Sequence, residues 1–182
     1  MEKDNATSGP QLGIVIIGRN EGERLRACLD SISASGAPMA YVDSGSTDDS
    51  LNTAAAVVGC SVIELPLDKP FTAGRARNAG FEYLKQLHPD LFYVQFVDGD
   101  CRIAEGWLEF AEDYLGSHPD TAIVCGRRSE VHPEHSWYNR LCDIEWDTSI
   151  GEADACGGDF MTLASAFDTA GGFDERLIAG EE

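Results

Sequence analysis

The chain has 182 residues, 43% hydrophobic and 25% charged, a composition that suits one globular domain with a sizeable core and is too apolar for a disordered chain. Its 32 acidic and 13 basic side chains leave a formal net charge of -19, a surface that repels phosphate backbones and excludes nucleic acid as a partner. A phosphorylated small molecule meets the same repulsion unless a cation intervenes, and a divalent metal would serve.

The segment 1–11 is polar, lacks the apolar core of a signal peptide, and is expected to be flexible. Leu12 to Ile17 is a short β-branched run and reads as a buried strand. Asn20 meets Glu23 three residues on, a capping-box pattern. Leu25, Cys28, Leu29 and Ile32 follow at helical spacing, so a helix is expected from about Gly22 to Ala34. Met39 to Val42 is the second strand. The turn-rich run Asp43 to Asp48 follows it, with Ser46 or Thr47 as the cap of a helix carrying Leu51, Ala54, Ala55 and Val58. Ser61 to Leu65 is the third strand. Thr72 caps a helix through Ala76, Ala79, Tyr83, Leu84 and Leu87, ended by His88-Pro89.

Leu91 to Val97 is a strand that runs straight into Asp98-Gly99-Asp100. Trp107, Leu108, Ala111, Tyr114 and Leu115 share a helical stripe, and Thr121 to Cys125 is another strand. Periodicity is weak from Val131 to Ile150. Phe160 to Leu163 reads as a strand, Ser165 to Ala170 as a short helix, and Gly171-Gly172-Phe173 as a turn. Strands alternating with amphipathic helices predict an α/β fold with a mostly parallel central sheet flanked by helices, in one domain over 12–182. The chain stops at Glu181-Glu182 with no closing helix, and its C-terminal end is expected to be incomplete.

The six cysteines form no C-x-x-C pair and lie mostly in apolar context, as small hydrophobes do. No apolar run is long enough to span a bilayer. A cytoplasmic location is expected, with peripheral association at the inner face of the membrane left open.

Asp98 and Asp100 carry the most chemistry. They sit at the predicted C-terminal end of a buried strand, where open α/β sheets gather their ligands. Two apart in extended chain, their side chains share a face, and Gly99 lets the backbone turn or a ligand come close. Two oxygen ligands with open coordination positions suit Mg2+ or Mn2+, which would also hold a diphosphate. The competing reading is an Asp-Gly turn that merely ends the strand.

Asp43 also follows a strand, and with Ser44 to Asp48 it could accept hydrogen bonds from a base or ribose; capping explains Ser46 and Thr47 but accounts less well for Asp43. Glu21 stands on the same edge, in the first strand-to-helix loop. Arg75 and Arg77 lie in the first turns of a predicted helix, where the macrodipole disfavours cations, a placement easier to explain if they face phosphate or acids. Asn78 would order the loop beside them. Gly157-Gly158 could let a sugar approach the backbone or simply turn the chain. Trp137 and Trp146 suit an acceptor groove or the core. His132 and His135 have the spacing of some metal ligands, yet no matching cysteine or histidine pair supports zinc, and they read as surface residues.

Taken together, these motifs resemble the inverting family-two glycosyltransferases, whose catalytic domain has the GT-A fold. Ile14 to Glu21 resembles their opening strand with its Gly18, Asn20 and Glu21 loop, and Asp43 to Asp48 their nucleotide-binding segment. Gly74 to Gly80 is similar to their Ala-Arg-Asn helix start, Asp98-Gly99-Asp100 to the D-x-D, and Gly171 to Glu175 to the segment before the catalytic acids. The resemblance implies a nucleoside-diphosphate sugar donor, with UDP favoured, a Mn2+ or Mg2+ cofactor, and a hydroxyl acceptor on a sugar, glycan or lipid-linked molecule. It implies that Gly18, Asn20, Glu21, Asp43 and Ser44 line the nucleoside site, with Arg77, Asn78 and Gly99 in support. Asp98 would sit near ribose and metal, and Asp100 would ligate the metal. Glu182 stands where the family's base is usually Asp, and Glu181 is the alternative base.

A nucleotidyltransferase making a nucleotide sugar is one rival, though Gly18-Arg19-Asn20 is a poor substitute for its Gly/Lys-rich phosphate loop. A non-catalytic nucleotide-sugar-binding domain is another. The glycine-rich fingerprint of dinucleotide-dependent oxidoreductases is missing after the first strand.

Overall fold

A computed structural model describes residues 11–178, and a six-stranded sheet covered by helices on both faces organises them. The strands are β1 (Leu12–Gly18), β2 (Met39–Asp43), β3 (Cys60–Glu64), β4 (Tyr93–Asp98), β5 (Ile123–Cys125) and β6 (Phe160–Leu163). The helices are α1 (Glu23–Ile32), α2 (Ser50–Ala55), α3 (Ala73–Leu87), α4 (Trp107–Ser117), α5 (Trp137–Glu145) and α6 (Ala164–Ala170). The spatial order is β3-β2-β1-β4-β6-β5. Strands β1 to β4 are parallel, β6 runs antiparallel to β4, and β5 antiparallel to β6. The mostly parallel α/β sheet expected from the sequence is therefore present.

The chain steps outward from β1 to β3, then returns past β1 to lay down β4. Strand order reverses between β1 and β4, the switch point beyond which such sheets bind ligands. Ile17 pairs with Asp98 and Gly18 with Asp43, so the loops after β1, β2 and β4 open on one edge.

Alternation along β1 divides the core in two. Ile14 and Ile16 join Leu25, Leu29, Leu108 and Leu115 from α1 and α4, whereas Val15 and Ile17 join Ala76, Phe81, Leu84 and Phe167 from α3 and α6. Each such large side chain contributes about 1.5–3 kcal/mol by leaving water. Helix α3 lies so close to the sheet that a Cβ at Gly80 would stand 2.4 Å from Val15 Cγ1. That contact seats the middle of α3 on β1 and β2, where Val15 and Val42 meet it.

Several local expectations are corrected. The capping box does not form: Gly22 is the N-cap of α1 and no side chain caps it. Asn20 instead takes a left-handed backbone (φ 58°) and accepts the Thr47 N–H at 2.7 Å. Neither Ser46 nor Thr47 caps α2; Asp48 Oδ1 accepts from Ser50 N–H at 3.0 Å as that helix begins. Val58 lies past the end of α2 and is 95% exposed. Thr72 does cap α3, its hydroxyl accepting the Arg75 N–H at 3.1 Å. Helix α5 falls in the stretch read as irregular. None of its residues is buried, and its apolar side chains Trp137, Tyr138, Leu141 and Ile144 stay exposed. Trp137 is 83% exposed there, which rules out the core as its place. Among the described residues, no helix is long and apolar enough to cross a membrane.

Candidate active site

The buried strand β4 delivers Asp98 to the switch point and the following turn presents Asp100. The Gly99 N–H donates to Ile17 O at 2.7 Å, and a Cβ on Gly99 would stand 3.0 Å from that oxygen, so glycine lets the tips of β1 and β4 join. Cys101 N–H returns to Asp98 O at 2.9 Å and closes the turn. The side chains of Asp98 and Asp100 are 32% and 46% exposed, open to a ligand on one side.

Arg77 holds Asp98 from below. Its Nη2 donates to Asp98 Oδ1 at 2.9 Å, its guanidinium lies over the Phe173 ring at 5.4 Å, and the residue is 1% exposed. A largely buried arginine facing a half-open carboxylate fixes that carboxylate in place and offsets part of its charge. Arg75, expected to face phosphate or acids alongside Arg77, meets an acid of the preceding loop, Asp68, at 4.0 Å. It donates to the carbonyls of Pro66, Lys69 and Pro70 and fastens the loop before α3.

The β1–α1 and β2–α2 loops interlock across the edge. Asn20 N–H donates to Ser46 Oγ at 2.9 Å, Thr47 N–H to Asn20 Oδ1 at 2.7 Å, and Gly22 N–H to Asp48 Oδ2 at 3.1 Å. Asp43 lies beneath them, 1% exposed, accepting from Tyr41 Oη at 3.1 Å and from the N–H groups of Gly45 and Ser46 at 2.8 and 2.7 Å. Its carboxylate shapes the loop from within. Glu21 pairs with Arg24 at 2.7 Å, and Arg24 in turn reaches Asp100 at 3.9 Å. Burial raises the Glu21 pKa above the usual range, Asp100 and Asp98 add to the rise, and Arg24 opposes it.

Between these loops and α3 lies an open cleft of about 620 Å³, a size suited to a nucleotide-class ligand. Gly18, Glu21, Ser44, Arg77, Asp98, Gly99 and Asp100 line it, together with Arg19, Phe71 and Thr72. Three other sequence-predicted residues do not line it: Asn20 ties the two loops together, Asp43 supports them, and Asn78, on α3, faces the segment after α6. Asn78 accepts from Phe173 N–H and donates to Phe173 O, both at 2.9 Å, so it fastens the segment after α6. Glu181 and Glu182 lie outside the described residues.

Asp159 escaped the sequence reading. Its Oδ1 accepts the Asp98 N–H at 3.1 Å and its Oδ2 pairs with Arg128 Nε at 2.9 Å. Burial raises its pKa, the Asp98 charge adds to that, and Arg128 opposes it. The only signal was the glycine pair before it. At Gly158 a Cβ would stand 2.4 Å from Arg77 Nη2 and 2.5 Å from Asp98 Oδ2, so only a bare backbone passes over the ion pair.

The donor set fits a hard divalent cation. Asp98 and Asp100 offer two carboxylates and form no three-ligand cage with other described residues. Mg2+ and Mn2+ sites commonly combine one or two carboxylates with substrate phosphates and water, which matches an open cleft of this kind.

The family model for glycosyl transferase family 2 matches residues 13–163, from β1 through β6. The chain belongs to this family. No curated protein matches its sequence. Among solved structures, the fold is similar to that of Mycobacterium tuberculosis glucosyl-3-phosphoglycerate synthase in complex with UDP, at 20% identity and a TM-score of 0.58. The same enzyme with Mn2+, UDP-glucose and glycerol 3-phosphate matches at 20% and 0.58, and a mycobacterial protein at 21% and 0.58. Each match covers 88% of this chain, which spans 55–59% of those chains. At such identities the likeness establishes the fold that this family-two chain shares with them.

Proposed function

We propose that this chain forms the donor-binding part of a metal-dependent glycosyltransferase. It would move a sugar from a nucleoside-diphosphate sugar, a UDP-sugar by preference, to an acceptor hydroxyl with inversion. The observation that carries the reading is the Asp98–Gly99–Asp100 turn at the switch point, with Asp98 held by a buried arginine beside an open cleft. The complexes of the mycobacterial synthase with UDP-glucose and Mn2+ support the choice of donor and metal.

In this reading Gly18, Glu21 and Ser44 line the nucleoside end of the cleft, and Asp43 and Asn20 hold its loops in shape. Asp100 and Asp98 would hold Mn2+ or Mg2+, which supplies charge neutralisation for a leaving diphosphate when bound. Arg77 keeps Asp98 oriented and lowers the charge density of an otherwise acidic edge. Glu182, with Glu181 as the alternative, would take the acceptor hydroxyl proton. The hydroxyl oxygen then forms its bond to the anomeric carbon as the bond to the diphosphate breaks, and UDP leaves with the electron pair. Attack opposite the leaving group inverts the centre.

The test is UDP release from UDP-sugars with Mn2+, across a panel of hydroxyl acceptors. Turnover is expected in the wild type and a fall of about a hundredfold or more in Asp100→Ala, on the scale of other lost transition-state charge contacts. Glu182→Gln should bind donor normally and transfer little. Unchanged turnover in Asp100→Ala would remove the metal role. Donor binding without turnover under any acceptor would leave a binding domain. Pyrophosphate release from a nucleoside triphosphate would favour the nucleotidyltransferase.

A further inference from the structure

Past the end of β5 the chain makes a tight turn, His132-Pro133-Glu134-His135, before α5 begins. The His135 N–H donates to His132 O at 3.1 Å, and Pro133 sits second in the turn, where its fixed φ is already suited. The two imidazoles lie parallel, centroids 4.4 Å apart and planes 11° from each other. Glu134 Oε1 is 3.6 Å from His132 Nδ1 and 3.7 Å from His135 Nε2. One ligand atom from each residue lies within 4.8 Å of the other two, the only such grouping of three among the described residues.

The turn is anchored on both sides. His132 N–H donates to Glu130 Oε1 at 3.0 Å, and Glu130 N–H to Asp143 Oδ1 on α5 at 3.0 Å. Ser136 then caps α5, accepting from Asn139 N–H at 3.1 Å. Donors gathered on a braced turn lose less freedom on binding than the same side chains on a free loop. Sequence spacing alone presented two histidines without a companion pair; the turn supplies the third donor from the residue between them.

We propose that His132, Glu134 and His135 form a binding site for a divalent transition cation of the zinc class, distinct from the Asp98–Asp100 edge. Two imidazole nitrogens and one carboxylate oxygen suit Zn2+, Co2+, Ni2+ or Cu2+ and not the hard cations that two carboxylates favour. Three protein ligands leave a coordination position for water or an outside ligand. A cation there ties the two ends of the turn together and stiffens the segment that also carries Arg128, the partner of Asp159. The inference rests on this turn alone and stands whether or not the chain transfers sugars.

Zinc would also find the six free cysteines, so the informative probe is Co2+, whose visible spectrum separates nitrogen and oxygen ligands from thiolate. The whole chain titrated with Co2+ should bind one equivalent at this turn, with ligand-field bands and no thiolate charge-transfer band. The His132→Ala/His135→Ala double variant should lose it. Glu134→Gln should weaken it by about tenfold or more. Zn2+ should displace the cobalt and Mn2+ should not. Because all three side chains are exposed, thermal melts of the variants should overlay the wild type. Cobalt binding unaltered in the double variant, a purely thiolate spectrum, or no binding would each overturn the proposal.

Discussion

The Gly158→Ala substitution probes the site through a single methyl group. Its Cβ would stand 2.4 Å from Arg77 Nη2 and 2.5 Å from Asp98 Oδ2, whereas ordinary contact begins near 3.4 Å. One or both partners must therefore move by about 1 Å. Arg77 is buried against Phe173, so the displacement falls mainly on Asp98, the more open of the two. Overpacking of this kind costs about 1–3 kcal/mol of stability. With Asp98 in its proposed place beside the metal, a displacement of about 1 Å should weaken UDP binding in the presence of Mn2+ by tenfold or more, equivalent to about 1.4 kcal/mol. Calorimetry measures the affinity and thermal denaturation the stability. Gly116→Ala on α4 is the control. Its Cβ would lie 3.5 Å from Tyr93 Oη, an ordinary contact, and alanine suits a helix better by about 0.5–1 kcal/mol. Gly158→Ala binding UDP and Mn2+ as tightly as wild type would refute the reasoning that the Arg77–Asp98 geometry sets the site.

Asp43→Ala strips acceptors from Tyr41 Oη and two backbone N–H groups, and should cost about 2–4 kcal/mol in urea denaturation while loosening the loop over the cleft. Asp159→Ala removes the acceptor behind Asp98 N–H and the partner of Arg128; UDP affinity with Mn2+ should fall about 10–100-fold with the fold retained by circular dichroism. Burial raises the pKa of Glu112, and Glu109 and Asp113 add to the rise, so its contribution to stability is lost as pH climbs through the raised value. Glu112→Gln should accordingly gain about 0.2–0.5 kcal/mol at neutral pH and nothing under acid conditions where the native glutamate is protonated, read from denaturation curves at each pH.

The frame of the molecule was legible wherever burial wrote a period into the sequence. Leu12 to Ile17 and Leu91 to Val97 read as strands because both faces of the sheet are covered, and the α1 and α3 stripes read as helices because one side of each packs on that sheet. The Asp98–Asp100 edge followed from the strand that ends there. Where no core lies beneath, the reading failed: α5 has no buried residue, and the helical spacing of Trp137, Tyr138, Leu141 and Cys142 is easily overlooked in a stretch rich in polar residues. Local capping rules also lost to long-range contacts. Asn20 and Ser46 carry good cap chemistry, yet each side chain spends it on the other's loop, Asn20 Oδ1 on Thr47 N–H and Ser46 Oγ on Asn20 N–H. Asp43 read as a ligand because it follows a strand and capping accounts for it less well than for Ser46 and Thr47; in the structure it is buried and accepts from three donors. Asp159 gave no sign beyond the glycine pair before it, because its partners, Asp98 and Arg128, meet it only through the antiparallel return of β6.

The central claim is that a divalent cation at the end of β4 joins this acidic edge to a sugar donor's diphosphate. The most direct measurement is a crystal of the protein grown with UDP and Mn2+, with data collected at the manganese edge. The account predicts an anomalous peak bound by Asp100, next to Asp98, with diphosphate oxygens on its open side and the nucleoside in the cleft beside Gly18 and Ser44. Well-ordered UDP with no manganese at that turn, or manganese bound elsewhere, would contradict it.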